Sequence, residues 1–406
     1  MAPWSASRCF EEDRENGYIA LRRTSTPVEY GRSVIRQSLP PIIKLIFIAL
    51  VFTSGTIIGT HYPTWINIYS RRPALNPISL LPPRLTSPVP ALDSSFPFLP
   101  PARKEIPNIV HYVYGLDTAH EEDFPYYAYL GMRSALLSLK PERILFHCLK
   151  EPRGYWWDQV KEWGLEEEDR QGEGVGIGGL VEVVMTRDPT WVGKNRRPVS
   201  SFAHKADILR LEALREYGGI YLDIDTFVLD SFAQNGLLTR DMVLAMEAEP
   251  TDWEYGFEDD EMRPKGLCNA IIVARNDSQF LQKWLESYDY FDQDVWADHS
   301  VKVPWHLAQS FPTEVTVLSD RAFFWPTWSD DHIDAVYHGN EYDFFSSGQL
   351  AYHLWESQMK DYLYDLDPLQ VWKKDTSFTR MASAFMASGE KERWQAHLKA
   401  LETGSR

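Results

Sequence analysis

Tyr217-Gly218-Gly219-Ile220-Tyr221-Leu222-Asp223-Ile224-Asp225 runs from the end of a helix pattern into a strand pattern and finishes on two carboxylates. Upstream, Ser200-Ser201 can cap a helix whose apolar residues Ala203, Ala206, Leu209, Leu214 and Tyr217 recur at helical spacing. Gly218-Gly219 supplies the left-handed stop, and Ile220-Tyr221-Leu222 begins a β-branched and aromatic strand at once. Read as a strand, the segment places Asp223 and Asp225 on one side, about 7 Å apart along the chain. Two adjacent carboxylates raise each other's proton affinity unless a cation lies between them, and a hard divalent ion such as Mg²⁺ or Mn²⁺ answers that need. The plain alternative is a solvated strand end. A helix followed by a strand ending in acids puts them at the strand's C-terminal edge, where open α/β sheets bind ligands.

Working outward, strand patterns fall at 106–114, 144–148, 181–185, 242–246 and 270–274, with helix patterns at 125–139 and 280–288. The alternation predicts an α/β domain. Gly174-Val175-Gly176-Ile177-Gly178-Gly179 is formally a G-x-G-x-x-G string. It follows the acidic run Glu166-Glu167-Glu168-Asp169 and leads into a strand, the wrong context for a dinucleotide fingerprint. A surface loop is expected there.

The chain has 406 residues, 44% of them hydrophobic and 14% aromatic, enough for one large core. A net charge of −17 excludes nucleic acid as a partner. The Lys194-Asn195-Arg196-Arg197 cluster is read either as a phosphate contact or as a solvated loop. Three cysteines make no disulfide scaffold; Cys148 and Cys268 are expected as buried thiols, with a single bridge between them left open. Residues 1–41 read as a cytosolic tail, 42–61 as a transmembrane signal anchor flanked by more Arg and Lys before than after, 62–105 as a Pro-rich stem, and 106–406 as the lumenal domain. The sequon Asn276-Asp277-Ser278 is compatible with that side.

The string His204-Lys205-Ala206-Asp207-Ile208-Leu209-Arg210, with Leu214 and Tyr217 to Asp225, resembles the DXD-containing region of family 32 glycosyltransferases. The likeness is dense there and looser from Ile106 to Trp355. It implies a GT-A-like fold, with a mixed, mostly parallel sheet flanked by helices, and a membrane-anchored Golgi (or ER) enzyme. The implied reaction is retaining transfer of a hexose or N-acetylhexosamine from a UDP- or GDP-sugar to a glycan or glycolipid. It also implies Mn²⁺ or Mg²⁺ held by Asp225 and, in the late His-x-Trp string Tyr352-His353-Leu354-Trp355, His353; Asp223 would face the ribose or donor sugar or join the metal, directly or through its water, and the roles of the two acids are interchangeable. Asp207 would hold a sugar hydroxyl and Arg210 orient it; with Asp223 and Asp225 they form the catalytic set. Asn269 would contact donor or acceptor, and His204 is a weaker candidate; Tyr112 and Tyr114, at the first strand's end, either stack on the base or simply pack in the core. Asp298-His299-Ser300-Val301-Lys302-Val303-Pro304 departs from the Gly-Pro element of many relatives. His299 and Lys302 there would touch the diphosphate or merely line a loop. Asp330-Asp331-His332 with Asp334 reads as a solvated turn ahead of a second metal cluster. Trp156-Trp157 and Phe323-Phe324-Trp325 are mostly core. The rival from another class is a non-catalytic scaffold subunit of a Golgi glycosylation complex.

Overall fold

A computed structural model describes residues 105–119, 121–164, 179–247 and 266–404. Cys9, the 42–61 segment, the stem up to residue 104 and most of the glycine string lie outside them. Among the described residues no helix is long and apolar enough to cross a membrane.

Seven strands make the central sheet: β1 (Ile109–Val113), β2 (Arg143–Cys148), β3 (Val181–Met185), β6 (Gly219–Leu222), β8 (Met242–Met246), β9 (Leu267–Ala274) and β10 (Thr316–Leu318). Their order is β10-β8-β9-β6-β1-β2-β3. Every neighbouring pair is parallel except the two made by β9, which runs against β6 and β8. The expected mixed, mostly parallel α/β sheet is therefore present. The short strands β4 (Trp191–Val192) and β5 (Arg197–Pro198) form a hairpin. Away from the sheet, β7 (Thr226–Val228) pairs antiparallel with β11 (Ala351–His353).

Helices cover both faces of the sheet. On one face, α1 (Tyr126–Leu139) and α2 (Tyr155–Lys161) close over Tyr112, Phe146, Phe124 and Trp157, with the Phe146 and Trp157 rings 4.5 Å apart. On the other, α3 (Phe202–Tyr217) and α4 (Gln279–Ser287) pack Leu209, Leu214, Phe280 and Trp284 against Tyr221, Leu244 and Ile272. Both faces being covered explains why the strands read as continuous apolar runs. It also corrects the reading of Tyr112. That side chain is fully buried opposite Phe146, so it cannot stack on a bound base.

The α3–β6 junction forms as its sequence indicates. Gly218 and Gly219 have φ of 67° and 117°, and a Cβ on Gly219 would lie 2.4 Å from the Ile109 carbonyl oxygen. Only glycine fits that double turn. Ser201 occupies the N-cap position, but its side chain makes no cap hydrogen bond.

Between β1, β2 and this junction lies a buried imidazole pair. His111 Nε2 is 2.8 Å from the Gly218 carbonyl, which can only accept, so Nε2 carries the proton. His111 Nδ1 must then accept from His147 Nε2, 3.1 Å away. Both rings are neutral in this chain of bonds. Burial pushes His111 down to about 3 and His147 to about 4. The unfolded chain therefore takes up protons near pH 6.5 that the folded chain refuses. The contribution to stability is full above pH 6.5 and falls as the pH drops toward 4, by about 1.4 kcal/mol per pH unit for each ring. Denaturant titrations of His147→Gln are expected to show a pH slope between 6.5 and 5 shallower by one ring's share. An unchanged slope would remove the pair as the origin of acid sensitivity.

Candidate active site

The Asp-x-Asp pair is not on a strand. β6 ends at Leu222, and Asp223 to Asp225 form the turn into β7, closed by Thr226 N–H donating to the Asp223 carbonyl at 3.1 Å. A turn, not strand alternation, brings the two acids together. Helix α1 presses onto this turn at Gly131, where a Cβ would lie 2.8 Å from the Thr226 carbonyl oxygen and 3.2 Å from that of Ile224. Ser134 Oγ accepts from Val228 N–H at 2.8 Å and Ser138 Oγ donates to the Val228 carbonyl at 2.9 Å, tying the turn's exit strand to the same helix.

The β7–β11 pairing sets His353 opposite Thr226. His353 Nε2 lies 3.2 Å from Asp225 Oδ1 and 3.9 Å from Asp223 Oδ2. Ligand atoms from Asp223, Asp225 and His353 all fall within 4.8 Å of one another, and no other such group occurs among the described residues. The histidine strand is braced from behind. His353 N–H donates to Phe323 O at 3.2 Å, Trp355 Nε1 to Pro326 O at 3.0 Å, and Tyr337 OH to Leu354 O at 2.6 Å. Trp355 stands edge-on to the imidazole at 4.5 Å between centroids.

Behind the carboxylates sits a buried ionic network. Arg210 Nη1 is 3.0 Å from Asp223 Oδ1 and Nη2 is 3.2 Å from Asp207 Oδ1. Asn269, inside β9, donates to Asp207 Oδ1 at 2.7 Å and receives Arg210 Nη1 on its carbonyl at 2.9 Å and on Oδ1 at 3.1 Å. Tyr221 OH donates to Asp223 Oδ1 at 2.6 Å, and its ring lies 4.6 Å below the guanidinium. Asp207 and Arg210 are both buried, and Asp207 is joined to Asp223 through the Arg210 guanidinium. The network joins Asp207, Arg210, Asp223 and Asn269, all singled out from sequence. Tyr221, Gly131 and Glu356 were missed.

The electrostatics separate the two acids. Burial, with Asp225 nearby and against the pull of Arg210, raises Asp223 above the usual carboxylate range. Asp225 is buried too, but the His353 imidazole and the Glu356 N–H, which donates to its Oδ2 at 3.0 Å, hold it below that range. Burial opposes charge on His353, yet Asp225 and then Asp223 keep its pKa raised. The two acids thus favour the protonated form of His353 in the metal-free site. Two carboxylates and one imidazole in so small a volume fit a divalent cation, which would take the place of that proton.

Other candidates lie elsewhere. Tyr114 is half-buried past the end of β1, its ring edge-on to Phe124 at 5.4 Å and its hydroxyl bonded to Tyr364. With Phe124, Lys150 and Arg153 it borders a shallow depression. His204 packs on Trp296 and Phe291. His299 is buried in a π-helical turn, Asp298–Lys302, its carbonyl receiving Trp284 Nε1 at 2.8 Å. Lys194, Asn195 and Arg197 all bond to Asp289, so the basic cluster is engaged in structure. Asp330, Asp331 and His332 open the helix α5 (Asp330–Tyr337), with His332 Nδ1 bonded to Thr327. Trp156, Trp157, Phe323, Phe324 and Trp325 are buried, and Cys148 and Cys268 are free thiols.

A carboxylate pair and a histidine gathered at the C-terminal edge of an α/β sheet have the ligand types and spacing that suit a divalent cation at a ligand-binding edge. Residues 180–247 match the family described as the glycosyltransferase sugar-binding region containing the DXD motif. Glucan organizing enzyme 1 of Cryptococcus neoformans var. grubii serotype A is 42% identical over 294 residues, 71% of this chain and 73% of that protein. The chain belongs to this DXD-motif glycosyltransferase family and is a glycosyltransferase. Among solved structures it resembles the galactosyltransferase LgtC in complex with donor and acceptor sugar analogs, at 16% identity over 70% of this chain and 99% of that one, TM-score 0.34. Mouse xyloside xylosyltransferase 1 is 14% identical over 61% of this chain and 96% of that one, TM-score 0.33.

Proposed function

We propose that the protein is a metal-dependent, retaining glycosyltransferase of the family 32 type with a GT-A-like fold. It transfers a hexose or N-acetylhexosamine from a UDP- or GDP-sugar to a glycan or glycolipid, as a type II Golgi membrane protein anchored by residues 42–61. The observation that carries this is the convergence of Asp223, Asp225 and His353 within 4.8 Å. A divalent ion there supplies a Lewis acid that neutralises the leaving diphosphate. The protein's own share is positional. Arg210 and Tyr221 fix Asp223, and Leu354 N–H donates to the Asp225 carbonyl at 2.8 Å. Tyr114, on the edge of the shallow depression it shares with Lys150 and Arg153, is our candidate to stack on the nucleobase. The name of the Cryptococcus relative refers to glucan, which favours a polysaccharide acceptor.

A thermal-shift panel of UDP- and GDP-linked galactose, N-acetylglucosamine, glucose and mannose, with Mn²⁺ or with chelator, tests the reading. One donor is expected to raise the midpoint only with metal, and the same donor to be slowly hydrolysed. Stabilisation by a donor that persists in chelator would sink the metal dependence.

A further inference from the structure

Glu356 opens helix α6 (Glu356–Tyr364) directly after Trp355, which takes a left-handed φ of 57°. That turn aims the Glu356 N–H at Asp225 Oδ2, 3.0 Å away. The side chain beside it is anomalous. Its Oε1 is closed off from solvent and has no hydrogen-bond partner, although Tyr114, Tyr127 and Tyr364 all lie close enough to feel the carboxyl's charge. Leaving such an oxygen buried and unbonded is costly, of order 1–3 kcal/mol. No element of the described fold repays that cost. Glu356 stands outside the three ligands of the cluster, yet Asp225 and His353 are among the charges that act on it.

We infer that Glu356 is a positioning residue for the cation: its backbone fixes Asp225, and its Oε1 accepts a hydrogen bond from the ion's hydration shell. Small divalent ions with few protein ligands keep several waters, and those waters need acceptors. Outer partners of this kind commonly change metal affinity by about 10–100-fold when removed. The inference rests on the cation site proposed above and adds to it a residue whose loss has a distinct signature. An ordinary structural glutamate stabilises the metal-free fold, whereas an oxygen without a protein partner does not.

The test is titration of Mn²⁺ alone into the full-length chain, followed by electron paramagnetic resonance, with thermal unfolding of the metal-free proteins in parallel. Glu356→Leu is expected to weaken Mn²⁺ binding about tenfold or more while its metal-free midpoint stays at or above that of the wild type. Glu356→Gln, which keeps an acceptor oxygen, should fall between the two in affinity. Mn²⁺ bound equally well by wild type and Glu356→Leu overturns this inference and leaves the cation site standing. So does a lowered metal-free midpoint with unchanged Mn²⁺ affinity. A wild-type chain that binds no Mn²⁺ overturns both.

Discussion

Replacing Asp225 with alanine is expected to abolish Mn²⁺ binding and to lower glycosyl transfer by roughly 10²–10³-fold, the scale of losing a principal electrostatic element of a transition state. Asp225 is the acid closest to His353, at 3.2 Å, and the one held ionised; Asp223 lies at 3.9 Å and is raised. Without Asp225 the remaining pair offers one reluctant carboxylate and an imidazole. The substitution also strips the Glu356 N–H of its acceptor at a helix start, at about 1 kcal/mol. Asp225→Asn separates the two effects, because an amide oxygen can still accept from Glu356 but carries no charge. Its unfolding midpoint should recover toward wild type while its turnover stays as low as that of Asp225→Ala. Steady-state kinetics with saturating Mn²⁺ check this, and an asparagine variant retaining a tenth of wild-type turnover would disprove the ligand role.

What could be read in advance divides along the range of the interactions. The helix, the double glycine and the start of β6 are local. Gly218 and Gly219 meet steric demands written into neighbouring residues, so that unit was legible. The conformation of the acids was not. Whether Asp223-Ile224-Asp225 extends as a strand or turns depends on Gly131 of a helix some ninety positions away admitting the turn against its backbone. Tyr112 was misjudged because β1 is covered on both faces, a fact of layer packing that one strand's pattern does not carry. Reversal of β9 between β6 and β8 is equally non-local, and it is what lowers Asn269 onto Asp207. His353 was found by resemblance to a family motif, since the β7–β11 pairing that brings it to the acids is non-local. Glu356 gave no signal at all: a glutamate in a helix's first turn is ordinary, and only the unbonded oxygen sets it apart.

Arg210→Met is expected to destabilise the fold by about 3 kcal/mol, because it leaves the buried Asp207 and the half-buried Asp223 without their shared cation. The guanidinium touches Asp223 at 3.0 Å, Asp207 at 3.2 Å, the Asn269 carbonyl at 2.9 Å and the Ala206 carbonyl at 3.3 Å, so nearly every donor is used. Lysine cannot reproduce that fork, and Arg210→Lys should recover only a minor part. A functional consequence accompanies the structural one. Arg210 is the strongest influence holding Asp223 toward ionisation against its burial, so its removal pushes that acid further up. Cation binding in Arg210→Met should then require a higher pH than in wild type, with affinity restored as the pH rises. Adding Asp207→Asn to Arg210→Met removes one of the two stranded charges and should return part of the lost stability. Chemical denaturation of the single and double variants measures that coupling. If the two substitutions prove additive, Arg210 is not bridging the acids in solution and Asp207 has no part in presenting Asp223 to the donor.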